Sequence, residues 1–174
     1  MIKIISGNLK GRKLSNIKSN ILRPTKAVVR KSIMDSIRLF NDKKVLDLFS
    51  GVGTLGIEAM SRGAKEVVFV EKNYKIIQIL KENINRCDLI DSSSIIKSDV
   101  MSYLDYENKT YDIIFADPPY RSYEFKEIFP KVSTLLNNNG IFCYESNKQN
   151  IDVDGKFKIK YYGNTQVVLW ENEK

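Results

Sequence analysis

The tetrapeptide Asp117-Pro118-Pro119-Tyr120 has the residue types needed for chemistry on an amino group. It directly follows the apolar run Ile113-Ile114-Phe115-Ala116, which reads as a strand. The four residues therefore fall at the carboxyl edge of a sheet, where open α/β folds bind ligands. Successive prolines make a rigid turn poor in N–H donors, so Asp117 and the Pro118 carbonyl become fixed acceptors beside the ring of Tyr120. The lone pair of an exocyclic amine is delocalised into its base. Two acceptors gripping its N–H bonds can turn it toward an electrophile, while an aromatic ring stacks the base, extruded from its helix if it is paired. A structural reading, in which Asp117 caps the helix near Tyr123 and Tyr120 is core, competes with this one. The residues upstream argue against it.

Those residues are a glycine loop and two later carboxylates. Asp47-Leu48-Phe49-Ser50-Gly51-Val52-Gly53-Thr54-Leu55-Gly56 follows a strand and opens a helix, with G-x-G-x-x-G at Gly51, Gly53 and Gly56. Glycines permit the tight turn and close approach of a ligand, and the helix start offers N–H groups. Glu71, with Lys72 after it, ends the next strand twenty positions beyond Gly51, where a carboxylate can accept from both hydroxyls of a ribose. Asp47 ahead of the loop would repel a pyrophosphate but pair with the α-ammonium of a methionine moiety. Asp99 ends the third strand, placed to accept an adenine amine while Val100 packs the ring. It can also cap the following helix. These details favour S-adenosylmethionine (SAM) over a dinucleotide. Phe49, Ser50, Gly51, Gly53, Asp47, Glu71, Lys72, Asp99 and Val100 form the expected cofactor set.

Composition narrows the remaining chemistry. The chain has 174 residues, no histidine and two cysteines, which excludes imidazole bases, His-bearing triads and His-containing zinc sites. Cys87 and Cys143 belong to no C-x-x-C pair, so reduced thiols are expected, with no metal. Neither suggests the nucleophile required for methylation at a ring carbon. No apolar window approaches the roughly 18 residues of a membrane span, and the expectation is a cytoplasmic protein without membrane contact. The net charge of +7 is uneven. Residues 1–44 carry 12 Lys+Arg against Asp35 and Asp42, leaving 16 basic and 19 acidic residues in 45–174. A basic arm ahead of a nearly neutral body suits a polyanionic partner. Arg12, Lys13, Arg23, Lys26, Arg30 and Lys31, interleaved with Gly7, Gly11 and Pro24, read as loops and a helix face that track phosphates.

The elements that must position these residues follow from periodicity. A helix is expected over about 25–40, capped by Thr25, with Val28, Val29, Ile33, Ile37 and Phe40 inward and Lys and Arg outward. Strands are expected at about 45–48, 66–70, 94–98, 112–116 and 140–145, and helices at about 54–63, 73–86, 100–104 and 123–137. Two alternating runs around Gly163-Asn164 predict a terminal hairpin. The Ser92-Ser93-Ser94 and Asn137-Asn138-Asn139 clusters read as connections. The sum is an α/β, Rossmann-like domain over 45–174, with a mostly parallel seven-stranded sheet finished by an antiparallel hairpin, behind a basic extension over 1–44.

Ile4-Ile5-Ser6-Gly7, Gly11-Arg12-Lys13-Leu14, Leu22-Arg23-Pro24-Thr25, the run from Val45 to Ala59, Ser61-Arg62-Gly63-Ala64 and Asp117-Pro118-Pro119-Tyr120 together resemble the RsmD family. These are bacterial class I SAM-dependent methyltransferases that modify a guanine N2 of 16S ribosomal RNA. The resemblance implies that Gly51, Gly53, Glu71 and Asp99 hold SAM, that Asp117 and Pro118 hold the amine, and that Tyr120 meets the base. It also places Arg12, Arg23 and Thr25 in an RNA-facing arm, to which the charge pattern adds Lys13 and Arg30. The expected partner is the small ribosomal subunit or its assembly intermediate, and the expected state a monomer. An adenine-N6 methyltransferase would use the same tetrapeptide, and a non-catalytic assembly factor would keep the fold alone. A nicotinamide oxidoreductase is disfavoured by Asp47.

Overall fold

The centre of the molecule is built by strands that are apolar on both faces. In β3 (Lys44–Leu48) every residue after the first is buried, and in β6 (Tyr111–Ala116) every residue except Asp112. Strands of this kind occur where helices cover both sides of a parallel sheet. In the computed structural model, residues 2–16, 27–119, 123–151, 153 and 155–173 are described. The main sheet has seven strands in the order β5 (Ser93–Lys97), β4 (Glu66–Glu71), β3, β6, β7 (Leu136–Asn147), β9 (Thr165–Glu171), β8 (Phe157–Tyr162). Neighbours from β5 to β7 run parallel, and β9 runs antiparallel to both β7 and β8. This is the sheet expected from the sequence, closed by the expected hairpin.

One face packs against α1 (Ala27–Ile37), α2 (Thr54–Ser61) and α3 (Tyr74–Arg86), the other against α4 (Val100–Tyr106) and α5 (Phe125–Thr134). Asn73 starts α3 by accepting from the Lys75 and Ile76 N–H groups. Glu124 and Glu127 close a capping box on α5. The Asn137-Asn138-Asn139 cluster is not a connection. It lies within β7, which pairs Leu136 with Tyr111 and then shifts register before Ile113. Ser93 and Ser94 likewise begin β5.

The start of the chain is more tightly held than its low apolar content predicts. Two-residue strands β1 (Ile2–Lys3) and β2 (Lys13–Leu14) pair antiparallel, and Ile2, Ile4, Leu9 and Leu14 enter the same hydrophobic cluster as α1, α2 and α3. The turn between them passes directly over the end of α2, where Ser61 Oγ donates to the Ser6 carbonyl and the Asn8 N–H donates to the Ser61 carbonyl. Gly7 makes the crossing with a φ of 83°, and a Cβ there would lie 1.7 Å from the Ser61 carbonyl oxygen. Gly7→Ala is therefore expected to lower stability by about 1–3 kcal/mol through overpacking. A urea-unfolding midpoint equal to that of the native chain would contradict this placement.

In α1 the periodicity reading requires correction. Val28 is exposed, while Arg30 and Met34 join Val29, Ile33 and Ile37 on the buried face. The helix is rotated so that Arg30 reaches inward, where Nη2 donates to the Lys3 carbonyl at 2.7 Å and Nε lies 3.8 Å from Glu58. Thr25, the expected cap, lies outside the described residues.

Candidate active site

Strand register brings the acidic residues of the sequence together at one edge. Leu48 pairs with both Val70 and Ala116, so the loop after β3 sits between Glu71 and Asp117. The strand order reverses here, the usual place for a ligand crevice in an open α/β sheet. Glu71 pairs with Lys97 of β5, which sets Asp99 two residues beyond the next strand's end. On the other side Ala116 pairs with Tyr144, so Glu145 follows beside Asp117.

The loop from Phe49 to Gly53 turns through three left-handed residues, Phe49 (φ 57°), Gly51 (φ 54°) and Gly53 (φ 86°). For a side chain as large as phenylalanine this conformation is rare and carries strain, which clusters at functional sites. The loop is tied down from both sides. Ser50 donates through N and Oγ to the Val70 carbonyl at 3.0 and 2.9 Å. Glu71 accepts from the Gly51 N–H at 3.1 Å and from the Asn73 N–H at 2.8 Å. Asp47 accepts from the Gly56 N–H at 2.9 Å, in the first turn of α2, whose cap Gly53 provides no side-chain bond.

Three carboxylates thus surround the loop. Asp47 is 2% exposed, and burial pushes its carboxyl up to about 7, against the pull of the Gly56 N–H and helped by the charges of Asp117 and Glu71. Asp99 caps α4 through the Met101 N–H at 3.0 Å and accepts from the Tyr123 hydroxyl at 2.8 Å. Burial alone would raise its carboxyl, but the Tyr123 hydroxyl, the Met101 and Ser102 N–H groups and Lys72, at 3.7 Å, together hold it below the usual range. Val100 is buried in the core on the α4 side, and Lys72 is exposed.

Asp117 is half-buried and Pro118 buried. Tyr120 lies outside the described residues. Tyr123, not singled out from the sequence as a site residue, links the parts of the site. Its ring centroid is 5.0 Å from that of Phe49, its hydroxyl holds Asp99, and its carbonyl accepts from the Tyr144 hydroxyl at 2.9 Å. Glu145 lies inside β7 beside Asp117. It is 6% exposed. Burial and the charges of Glu145 and Asp117 push the Cys143 thiol well up, and Cys87 is buried with its thiol raised by burial. Neither thiol suits nucleophilic attack.

Of the expected RNA-facing residues, Arg12 and Lys13 are exposed. Arg12 donates to the Arg86 carbonyl at 2.7 Å and pairs with Asp88 at 3.1 Å. Arg23 and Thr25 lie outside the described residues. Arg30 is not at the surface: it is 3% exposed, and its guanidinium serves to hold Lys3 and Glu58. Among the described residues no helix is long and apolar enough to cross a membrane.

Sheet order, hairpin and glycine loop together define a Rossmann-like class I methyltransferase fold. Residues 2–171 match the family model described as Conserved hypothetical protein 95. The chain is 36% identical to "Ribosomal RNA small subunit methyltransferase D" of Buchnera aphidicola subsp. Acyrthosiphon pisum, across 87% of this chain and 82% of the relative. It is 33% identical to the Escherichia coli protein of the same name, across 83% and 71%. A solved Escherichia coli structure bearing the name "Putative methyltransferase yhhF" superposes with a TM-score of 0.87 at 27% identity, covering 99% and 98%. The chain belongs to this family, the RsmD family of methyltransferases.

Proposed function

We propose that this chain transfers a methyl group from SAM to the exocyclic N2 amine of a guanine in 16S ribosomal RNA. The observation that carries the reading is the ring of carboxylates, Asp47, Glu71 and Asp117, around a glycine loop at the strand-order reversal. Such a site repels a phosphate-bearing dinucleotide and attracts a ligand with two positive groups, an ammonium and a sulfonium. The names of the relatives at 33% and 36% identity support ribosomal RNA of the small subunit as the acceptor. The basic residues of the first 44 positions suit the same polyanion.

The residues present fit this cofactor. Bound SAM supplies an electrophilic methyl on a positively charged sulfur. Glu71 keeps acceptor capacity for ribose hydroxyls after serving Gly51 and Asn73. Asp99, held by Tyr123 and Met101, offers acceptors toward an adenine amine. Asp47 pairs with the methionine ammonium. Asp117 and the Pro118 carbonyl hold the guanine amine by its N–H bonds, and Tyr120 stacks the base, so that orientation does most of the catalytic work. The partner is the small subunit or an assembly intermediate, met by a monomer.

The raised carboxyl of Asp47 makes the cofactor reading testable through pH. A carboxyl near 7 in the unbound protein must lose its proton to pair with an ammonium, so SAM affinity rises as pH climbs through about 7. It falls again as the α-ammonium, with an ordinary value of about 7.7–8.0, deprotonates. Calorimetry between pH 5.5 and 9 should trace a narrow bell, and Asp47→Asn should remove its acidic limb. An acidic limb that persists in the variant would reject the pairing. The target is tested by nucleoside analysis of 16S RNA from cells with and without the gene, where N2-methylguanosine should fall by one residue per subunit.

A further inference from the structure

A second opening lies on the same sheet edge as Asp117, two strands away. It is an open surface depression of about 420 Å³ lined by Lys148, Gln149, Asn150, Tyr161 and Gln166. Its position follows from register. β7 carries Tyr144 beside Ala116 and continues through Ser146, which pairs with Gln166, and Gln166 pairs with Tyr161 of β8. The depression is tied to the methyl-transfer region by hydrogen bonds, since Gln149 Nε2 donates to the Tyr144 hydroxyl at 3.3 Å and Tyr144 donates to the Tyr123 carbonyl.

The side chains are those that recognise a single-stranded nucleotide. Tyr161 is 59% exposed on the outer strand, so a face of its ring is open to stacking. The Lys148 ammonium lies 5.5 Å from its ring centroid. Gln166 is fully buried at the floor of the depression. Its Oε1 accepts from the Gln149 N–H at 3.2 Å, while its Nε2 has no hydrogen-bond partner among the described residues. A buried amide donor without an acceptor is costly and calls for an explanation. Asn150 and Gln149 add amide groups that can read a base edge.

The first turn of α1 approaches this edge as well. Ser32 faces Tyr162 and Ser36 faces Lys160, so α1 runs opposite to β8 and its N-terminal end points toward the sheet's carboxyl edge.

We infer that this depression is a subsite for a nucleotide flanking the methylated one: Tyr161 stacks its base, Lys148 meets its phosphate, and the Gln166 and Asn150 amides face its edge. The inference rests on the proposed RNA methyltransferase activity and extends it to how the RNA strand is held. Stacking on one aromatic ring is sequence-tolerant and strong. Removing it changes acceptor binding without touching cofactor binding.

The test is steady-state methyl transfer to small subunits purified from a strain lacking the gene, with SAM affinity measured alongside. Tyr161→Ala is expected to raise the KM for the subunit roughly 5- to 100-fold with SAM affinity unchanged, and Tyr161→Phe to behave as the native chain. Lys148→Gln should raise the KM by a smaller factor that shrinks at high salt. Because Tyr161 and Lys148 are exposed, neither change removes core packing. A native chain that is active, with the same KM in Tyr161→Ala and Lys148→Gln, would overturn the subsite and leave the activity standing. A native chain that methylates no RNA would overturn both.

Discussion

Asp117→Ala should retain SAM binding and lose turnover, with kcat falling by roughly 10²- to 10³-fold, the scale seen when one preorganised hydrogen-bonding group is removed from a reacting centre. Ala116 pairs with Leu48 on one side and Tyr144 on the other, so Asp117 leaves the sheet at the strand-order reversal. Pro118 and Pro119 then fix its direction. The variant has a second signature. Asp117 is one of the charges that raise the Asp47 carboxyl, so removing it should move the acidic limb of SAM binding to lower pH. Loss of SAM affinity to the same degree as turnover would assign Asp117 to cofactor binding and remove it from the amine.

Glu58→Gln should cost about 3–5 kcal/mol of stability, the range for breaking a buried ion pair by removing one partner. Glu58 is 1% exposed in a helix buried along its whole length. One carboxylate oxygen accepts from the Ile5 N–H at 2.9 Å and lies 3.8 Å from Arg30 Nε; the other accepts from the Ser6 N–H at 3.0 Å and Arg62 Nε at 3.2 Å. Every group facing it is a donor. A glutamine would turn its own N–H bonds toward donors and leave Arg30, whose Nε already has no hydrogen-bond acceptor among the described residues, without a counter-charge. A denaturant midpoint giving a loss below about 1 kcal/mol would mean that the N-terminal turn is held by its apolar residues alone.

The contrast between these two residues shows what can be read from a sequence. That Asp117, Glu71 and Asp47 come to one sheet edge was legible because each lies at or next to the end of a short apolar run, and parallel strands bring such ends together whatever the loops do. The main-sheet strands were legible for the same reason. The inward turn of Arg30 was not, because its cause is Glu58, 28 positions away, and hydrophobic period alone favoured Val28. The pairing of Leu136 with Tyr111 was hidden by a register shift and by three asparagines that ordinarily mark a turn. Two-residue strands such as β1 and β2 are too short for any period to reveal. Within the site, Tyr123 reaches Asp99 from 24 positions away, a contact that no local pattern encodes.

Labelled methyl transfer from SAM by the purified chain, to small subunits from a strain lacking the gene, tests the central claim most directly when the modified nucleoside is identified by mass spectrometry. N2-methylguanosine in the 16S RNA is the predicted product, abolished by Asp117→Ala and formed once per subunit. N6-methyladenosine, or no label in the RNA from a protein that binds SAM, would contradict it.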